Sequence, residues 1–109
     1  MNTAVGFAAL GHGPEWHLEI INNRNEMVFT TATGTTVYGY TAFGPTLLKA
    51  SNSTIYMTVN DSHAMSVVVH EQFCQDIKSG KAYGTTVNVW LDGEQFAGCG
   101  ETVRRDTAR

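Results

Sequence analysis

The sequence contains few charged residues and no cluster of basic ones. Only 16% of the 109 residues are charged, and 7 Lys and Arg stand against 10 Asp and Glu, which gives a formal net charge of -3. Affinity for nucleic acid depends on basic residues that displace counterions from the phosphates. The composition therefore predicts no nucleic-acid partner.

Long apolar runs are also absent. A transmembrane helix needs about 18 consecutive apolar residues, and no stretch of the sequence approaches that length, so no membrane span is predicted. The first ten residues, Met1 to Leu10, lack the basic start and the apolar centre of a signal peptide. If the protein is exported, the sequence is that of a mature chain with an added Met1.

Cysteine is scarce, since the chain has only Cys74 and Cys99. Two cysteines in a small domain favour a disulfide, which persists only in an oxidising compartment. Two buried free thiols in a cytosolic protein are the alternative, because free cysteine packs as a small apolar residue. The cysteine count alone leaves both interpretations open.

The length and the apolar pattern predict one domain built from strands. Single domains cluster at roughly 100 to 150 residues. Apolar Trp16, Leu18 and Ile20 alternate with polar residues, which indicates a strand with one buried face, and no helical period competes anywhere. Turn residues separate about eight such segments, and Asp92-Gly93 is the strongest hairpin signal.

The predicted fold class is all-β, a small antiparallel barrel of about eight strands. A barrel is favoured over a sandwich because closure leaves no open edge strands. Gly39, within a strand rich in β-branched and aromatic residues, suggests a bulge or bend of the kind that barrel corners need. The domain is expected to span residues 1–103, and the charged residues 104–109 are expected to form a frayed tail.

Seven aromatic residues could either fill the barrel or line a ligand cavity inside it. A barrel of eight strands is just wide enough to be filled by its own side chains, so core packing is favoured over a cavity. The residues are Trp16, Phe29, Tyr38, Tyr40, Phe43, Trp90 and Phe96.

Four histidines are the side chains best suited to a nitrogen-rich metal site. The string His12-x-x-Glu15-x-His17 brings three potential ligands together near the start of one strand. It lacks the fixed spacing of a zinc motif, so we predict no metal, with copper or zinc at His12 and His17 as the weaker alternative. No cofactor is predicted.

Three segments resemble an uncharacterised family of small bacterial periplasmic proteins and lipoproteins. The segment from Gly11 to Ile20 is similar to the family's Gly-Thr-Glu-Pro-Phe-Trp-x-x-Glu-Ile, with His12 in place of Thr and Glu15 in place of an aromatic residue. The segment from Cys74 to Tyr83 is similar to Cys-x-Asp-x-x-Ser-Gly-x-x-Tyr, and Gly98-Cys99-Gly100 is similar to the terminal Gly-Cys. The resemblance implies export to the periplasm or cell envelope and one disulfide between the two cysteines.

Ser79-Gly80-Lys81-Ala82-Tyr83 also resembles the Ser-Gly-x-x-Tyr loop of the membrane-bound and periplasmic inhibitors of c-type lysozyme. Those inhibitors are small β-barrels whose loop Ser and Lys enter the lysozyme cleft. Here Lys81 lies one position earlier than the Lys of the Ser-Gly-Ala-Lys-Tyr version. The resemblance implies a partner-binding loop made of Ser79, Gly80, Lys81 and Tyr83.

The predicted function is that of a non-enzymatic periplasmic binding or inhibitory protein, whose partner is lysozyme or another protein. A hydroxyl and an ammonium on an exposed turn suit the paired carboxylates of a glycosidase cleft, which lie roughly 5 to 9 Å apart. A solvated turn that only connects strands is the alternative interpretation. Ser79, His70 and Asp76 lack the sequence context of a hydrolytic triad, so no enzyme is predicted. A small-ligand or metal carrier and a structural envelope module are the remaining hypotheses.

Overall fold

The protein is all-β, as the sequence predicts. The structure, a computed structural model, describes residues 5–12, 14–21, 26–40, 46–59 and 63–103. Within these residues the chain forms eleven strands and one short 3₁₀ helix, Lys49–Ser51. None of these segments is a helix long and apolar enough to cross a membrane. The predicted tail, 104–109, lies outside the described residues.

Nine strands form one antiparallel sheet, and two short strands form a separate hairpin. In chain order the strands are β1 (Val5–Gly11), β2 (Trp16–Ile21), β3 (Glu26–Thr31), β4 (Thr36–Tyr40), β5 (Thr46–Leu48), β6 (Ser53–Val59), β7 (Ala64–His70), β8 (Cys74–Gln75), β9 (Ala82–Tyr83), β10 (Thr85–Leu91) and β11 (Glu94–Thr102). The main sheet has the order β4-β3-β2-β1-β11-β10-β7-β6-β5, and β8 pairs with β9. Two meanders, β1 to β4 and β5 to β11, are therefore joined where β1 pairs with β11.

The main sheet curls into a half-barrel, and the hydrophobic core lies on its concave face. Side chains alternate between the two faces of each strand. Trp16, Leu18 and Ile20 all point inward and are buried, as their alternation predicts. The core consists of Phe7, Ala9, Trp16, Leu18, Ile20, Met27, Phe29, Val37, Tyr56, Met65, Val67, Val69, Val87, Val89, Leu91 and Phe96.

Aromatic packing holds the core together around Phe29. Its ring centroid lies 5.7 Å from that of Trp16 and 5.1 Å from that of Phe96. For these three residues the prediction of core packing is confirmed. For Tyr38 and Trp90 it is wrong, because these side chains are 46% and 37% exposed on the convex face. The side chain of Tyr40 and the whole of Phe43 lie outside the described part of the chain.

The two ends of the curled sheet approach each other at Gly39. This residue pairs regularly with Met27, so it does not form the predicted bulge. Instead, a Cβ atom at this position would overlap Thr58 Oγ1 on β6. The absence of a side chain at Gly39 therefore lets β4 pack closely against β6 inside the half-barrel.

The Asp92-Gly93 hairpin is confirmed. Both residues have positive φ, 50° and 89°, as a two-residue turn between strands requires. The Asp92 carboxylate accepts a hydrogen bond of 2.9 Å from the Ala64 backbone N–H and lies 2.6 Å from His63 Nδ1. The turn is thereby tied to the start of β7.

Candidate partner-binding loop

A disulfide joins Cys74 to Cys99 and confirms the pairing that the family resemblance implies. Their Cα atoms are 5.6 Å apart, within the normal range for a disulfide, and neither cysteine is free. Cys99 lies on β11 in the main sheet, whereas Cys74 begins β8. The bond therefore anchors the β8–β9 hairpin to the main sheet and excludes the alternative of two free thiols.

The anchored hairpin carries a tight loop, residues 76–81, which we name the partner loop. Asp76 N–H donates to Lys81 C=O at 2.9 Å, and Gly80 N–H donates to Asp76 C=O at 2.8 Å. Gly80 has a φ of +76°, a conformation that favours glycine. Backbone hydrogen bonds at both ends and the nearby disulfide thus give the loop one defined shape.

Asp76 organises the partner loop from within. Its Oδ2 accepts hydrogen bonds from the Ser79 hydroxyl at 2.8 Å and from the Ser79 N–H at 2.9 Å. These two donors, the hydroxyl first, hold the pKa of the Asp76 carboxyl below its usual value. The Ser79 hydroxyl is therefore already engaged inside the loop.

His12 connects the partner loop to the segment before β2. Its Nδ1 lies 3.2 Å from Glu15 Oε2 and its Nε2 lies 2.8 Å from Asp76 Oδ1. The contact between His12 Nε2 and Asp76 is short enough for an ion pair, but it does not have the geometry of a hydrogen bond. Lys78 also contacts Glu15, and this ammonium is the main reason that the pKa of Glu15 is lowered.

The order of these groups does not suit acyl transfer. In a hydrolytic triad the histidine contacts the serine, and the carboxylate holds the far side of the histidine. Here the carboxylate of Asp76 lies between Ser79 and His12. The arrangement fixes the shape of a loop, and the Ser79 hydroxyl faces the Asp76 carboxylate rather than a histidine.

The structure places the two metal-candidate histidines in different surroundings. His12 faces two carboxylates, whereas His17 is exposed on the convex side of β2. Over the described ranges no three His, Cys, Asp or Glu side chains are grouped so that they could hold a metal ion.

Lys81 and Tyr83 form one unit at the base of the partner loop. Lys81 Nζ lies 3.2 Å from Glu101 Oε2 on β11 and 5.0 Å from the centroid of the Tyr83 ring. The Lys81 side chain is 56% exposed, whereas Tyr83 is buried. Tyr83 therefore supports the lysine, and only Lys81 of this pair can reach a partner.

Sequence reasoning missed two exposed apolar side chains, one within the partner loop and one just before Cys74. Ile77 is 90% exposed and Phe73 is 68% exposed. A groove of about 290 Å³ lies next to Ile77, and Ala97 and the disulfide form part of its wall. Short-range sequence patterns give no signal for this exposure, because apolar residues are counted as core candidates wherever they occur.

No family model, curated protein or solved structure matches this chain. Its function therefore has to be inferred from the loop and the surfaces themselves.

Acid is expected to loosen the partner loop. Because the pKa of Asp76 is lowered, its carboxylate stabilises the loop above the usual pKa, and this stabilisation is lost as the pH falls through the lowered value. Below about pH 4, hydrogen exchange of the Ser79 N–H should lose protection, relative to a core amide such as that of Val89. Nuclear magnetic resonance measures both amides in one sample.

The matched variant for this experiment is Asp76→Asn, which cannot titrate. Ser79 in the variant should be less protected than in the wild type at neutral pH, because an amide oxygen accepts more weakly than a carboxylate, and it should show no acid-dependent step. Unchanged protection of wild-type Ser79 between neutral pH and pH 3 would contradict the role given to Asp76.

Proposed function

We propose that this chain is a non-enzymatic, exported protein of the periplasm or cell envelope that binds and inhibits a protein partner through the partner loop. The observation that carries the proposal is the near-complete exposure of Ile77 on a loop that a disulfide anchors. An apolar side chain held in one place loses little freedom on binding, so its burial contributes more fully to affinity. Phe73, the residue before Cys74, provides a second exposed apolar side chain close to the disulfide in sequence.

The charges around the partner loop favour a basic partner. Glu15, Asp76 and Glu101 supply three carboxylates, and Lys78 and Lys81 supply two ammonium groups that already face Glu15 and Glu101. The whole chain also has a net charge of -3. Long-range attraction would speed the encounter with a basic protein. The resemblance of the loop to lysozyme inhibitors makes c-type lysozyme, a basic enzyme, the most specific candidate.

Lys81 can reach carboxylates of a partner if it exchanges Glu101 for them. Both members of the Lys81–Glu101 pair are about half exposed, and exposed pairs contribute only about 0 to 1 kcal/mol. A pair of carboxylates in an enzyme cleft is partly shielded from water and forms stronger, charge-assisted hydrogen bonds. The exchange is therefore favourable when the partner is a glycosidase.

We expect the protein to inhibit c-type lysozyme at micromolar concentration, and Lys81→Ala to weaken binding by about 2 to 5 kcal/mol, mainly through faster dissociation. Ser79→Ala should weaken binding less, by about 1 kcal/mol, because its hydroxyl donates to Asp76 and so acts through the shape of the loop. Ile77→Ser should also weaken binding because it removes an apolar contact. Inhibition kinetics and calorimetry measure all three effects, with melting temperatures alongside.

Lys49→Ala is the matched control, since Lys49 is an exposed lysine on the 3₁₀ helix between β5 and β6, whereas the loop is anchored to β11, and β10 and β7 lie between β11 and β6. It should bind as the wild type does. A wild-type protein that does not inhibit at micromolar concentration would eliminate lysozyme as the partner. Equal binding by Lys81→Ala, Ile77→Ser and the wild type would eliminate the loop as the contact surface.

A small-ligand carrier is the second candidate, and the groove beside Ile77 is the observation that favours it. The concave face of the sheet is filled by fully buried side chains such as Leu18, Phe29 and Val89. A ligand would therefore lie outside the half-barrel, in the groove, where His12 and the disulfide form part of the wall. Saturable binding of a small molecule that Ile77→Ser abolishes would support this candidate.

A further inference from the structure

The convex face of the second meander contains two rows of side chains without any charged residue. Strand register places these side chains next to one another across β5, β6, β7, β10 and β11. We name the two rows the uncharged face. The first row is Thr46, Ile55, Val68, Asn88 and Ala97, and the second is Met57, Ser66, Trp90 and Gln95.

The centre of the uncharged face is apolar and open to solvent. Met57 is 44% exposed and Trp90 is 37% exposed, and Ser66 lies between them in the register. Ile55 and Val68, in the neighbouring row, are half-buried. Apolar side chains that are exposed next to one another, rather than singly, are candidates for a site of association. Tryptophan and methionine are also enriched at the centres of protein interfaces.

The distribution of charge favours a second copy of the chain as the occupant over a charged partner. On the convex face of the first meander, Glu19 and Glu26 point away from the core. Since every copy carries a net charge of -3, two copies repel each other when such surfaces meet. The uncharged face can meet itself without placing like charges opposite one another. A two-fold axis brings the same surface of both copies together.

The partner loop stays outside such an interface. The β8–β9 hairpin is bonded to Cys99, which pairs with Thr86 on β10. Trp90 is four residues further along β10, or about 13 Å at the usual rise of a strand. An interface centred on Trp90 therefore leaves Lys81 accessible, and it meets the groove beside Ile77 only at Ala97, on the edge of the uncharged face.

We propose that two copies of this chain associate about a two-fold axis through the uncharged face, with Met57, Ser66 and Trp90 at its centre. Five strands about 4.8 Å apart span only about 20 Å, so the interface is small. Small interfaces are typical of weak or transient association. We therefore expect a dissociation constant on the order of micromolar or weaker. This inference does not depend on the identity of the loop's partner.

Sedimentation equilibrium of the wild-type chain tests the proposal. The weight-average mass should rise from monomer to dimer between micromolar and about millimolar concentration. Trp90 is the exposed one of the two tryptophans, so its emission should shift to shorter wavelength over the same range, and Trp16→Phe isolates that signal. A mass that stays monomeric up to about millimolar concentration would overturn the proposal.

Ser66→Glu introduces a carboxylate at the centre of the face without removing an apolar contact. It should raise the dissociation constant about tenfold or more, because two like charges then meet near the axis. Thr30→Glu is the control, since Thr30 has the same half-buried, outward position on β3. It should leave association unchanged. Dimers of Ser66→Glu as stable as those of the wild type would refute the inference.

Charge complementation makes the test independent of any loss of stability in one variant. Ser66→Glu and Ser66→Lys should each be monomeric alone, whereas an equal mixture should dimerise because opposite charges meet at the axis. Failure of the mixture to dimerise, although both variants melt as the wild type does, would place the interface elsewhere.

Discussion

Replacing Gly98 by alanine is expected to lower the free energy of unfolding by about 3 kcal/mol, the upper end of the usual range for a side chain forced into filled space. A Cβ atom at Gly98 would overlap the Leu10 carbonyl oxygen and lie 2.8 Å from Gly11 Cα. Both obstacles are backbone atoms of β1, so neither can rotate away. The substitution would push β1 from β11 at the junction of the two meanders.

The same junction positions Trp16, whose indole N–H donates to the Ala97 carbonyl at 3.3 Å. Gly98→Ala should therefore also change the near-ultraviolet circular dichroism of the tryptophans. Gly84→Ala is the control, because nothing lies within 4 Å of a Cβ there and its φ is not positive. Urea unfolding should show a change of less than about 1 kcal/mol for the control. Equal stability of the Gly98→Ala and wild-type proteins would show that β1 and β11 are not so closely packed.

Removal of the disulfide is expected to cost about 3 kcal/mol, because the bond closes a loop of 25 residues in the unfolded chain. The change is the double substitution Cys74→Ser and Cys99→Ser, and urea unfolding with and without a reducing agent measures it. Reduced wild type should unfold at the urea concentration of the double variant. The reducing agent should not affect the variant itself, which serves as the control.

Coincident unfolding curves for the oxidised wild type and the double variant would contradict this expectation. Hydrogen exchange of the partner loop provides a second measurement. Once the disulfide is absent, the two-stranded β8–β9 hairpin is held only by weaker contacts. Protection of the Ser79 N–H should then fall more than that of the Val89 N–H. Equal losses at both amides would mean that the hairpin and the main sheet open together.

Local sequence patterns predicted the strands that have clear alternation and clear turns. The Asp92-Gly93 turn and the buried positions Leu18 and Ile20 follow directly from short-range rules. β1 was missed because Val5–Gly11 contains glycine and alanine, which have low strand propensity, and because both of its faces are apolar. Its place beside β2 and β11 depends on pairing with distant strands, which no local pattern contains.

The candidate site was predicted in outline only. The positions of Ser79 and Lys81 on an exposed loop could be read from turn residues and from a motif. The ion pairs and hydrogen bonds of the loop could not be predicted from local sequence. Lys81 contacts Glu101, which is twenty residues away, and Asp76 contacts His12, which is 64 residues away. Apolar character alone also does not determine whether a side chain is buried in the core. Ile77 is exposed on the partner loop, and Trp90 is exposed on the convex face of the sheet.

The pairing of β1 with β11 has a consequence for how the chain folds. These strands lie side by side in the register from Phe7↔Thr102 to Leu10↔Cys99, although they come from opposite ends of the described chain. Closing a loop of about ninety residues costs more entropy than closing a hairpin, so each meander can form its own contacts earlier. The rate at which the complete sheet assembles is then governed by this one distant pairing. β1, the strand with the weakest local preference, thus determines how fast the complete sheet forms.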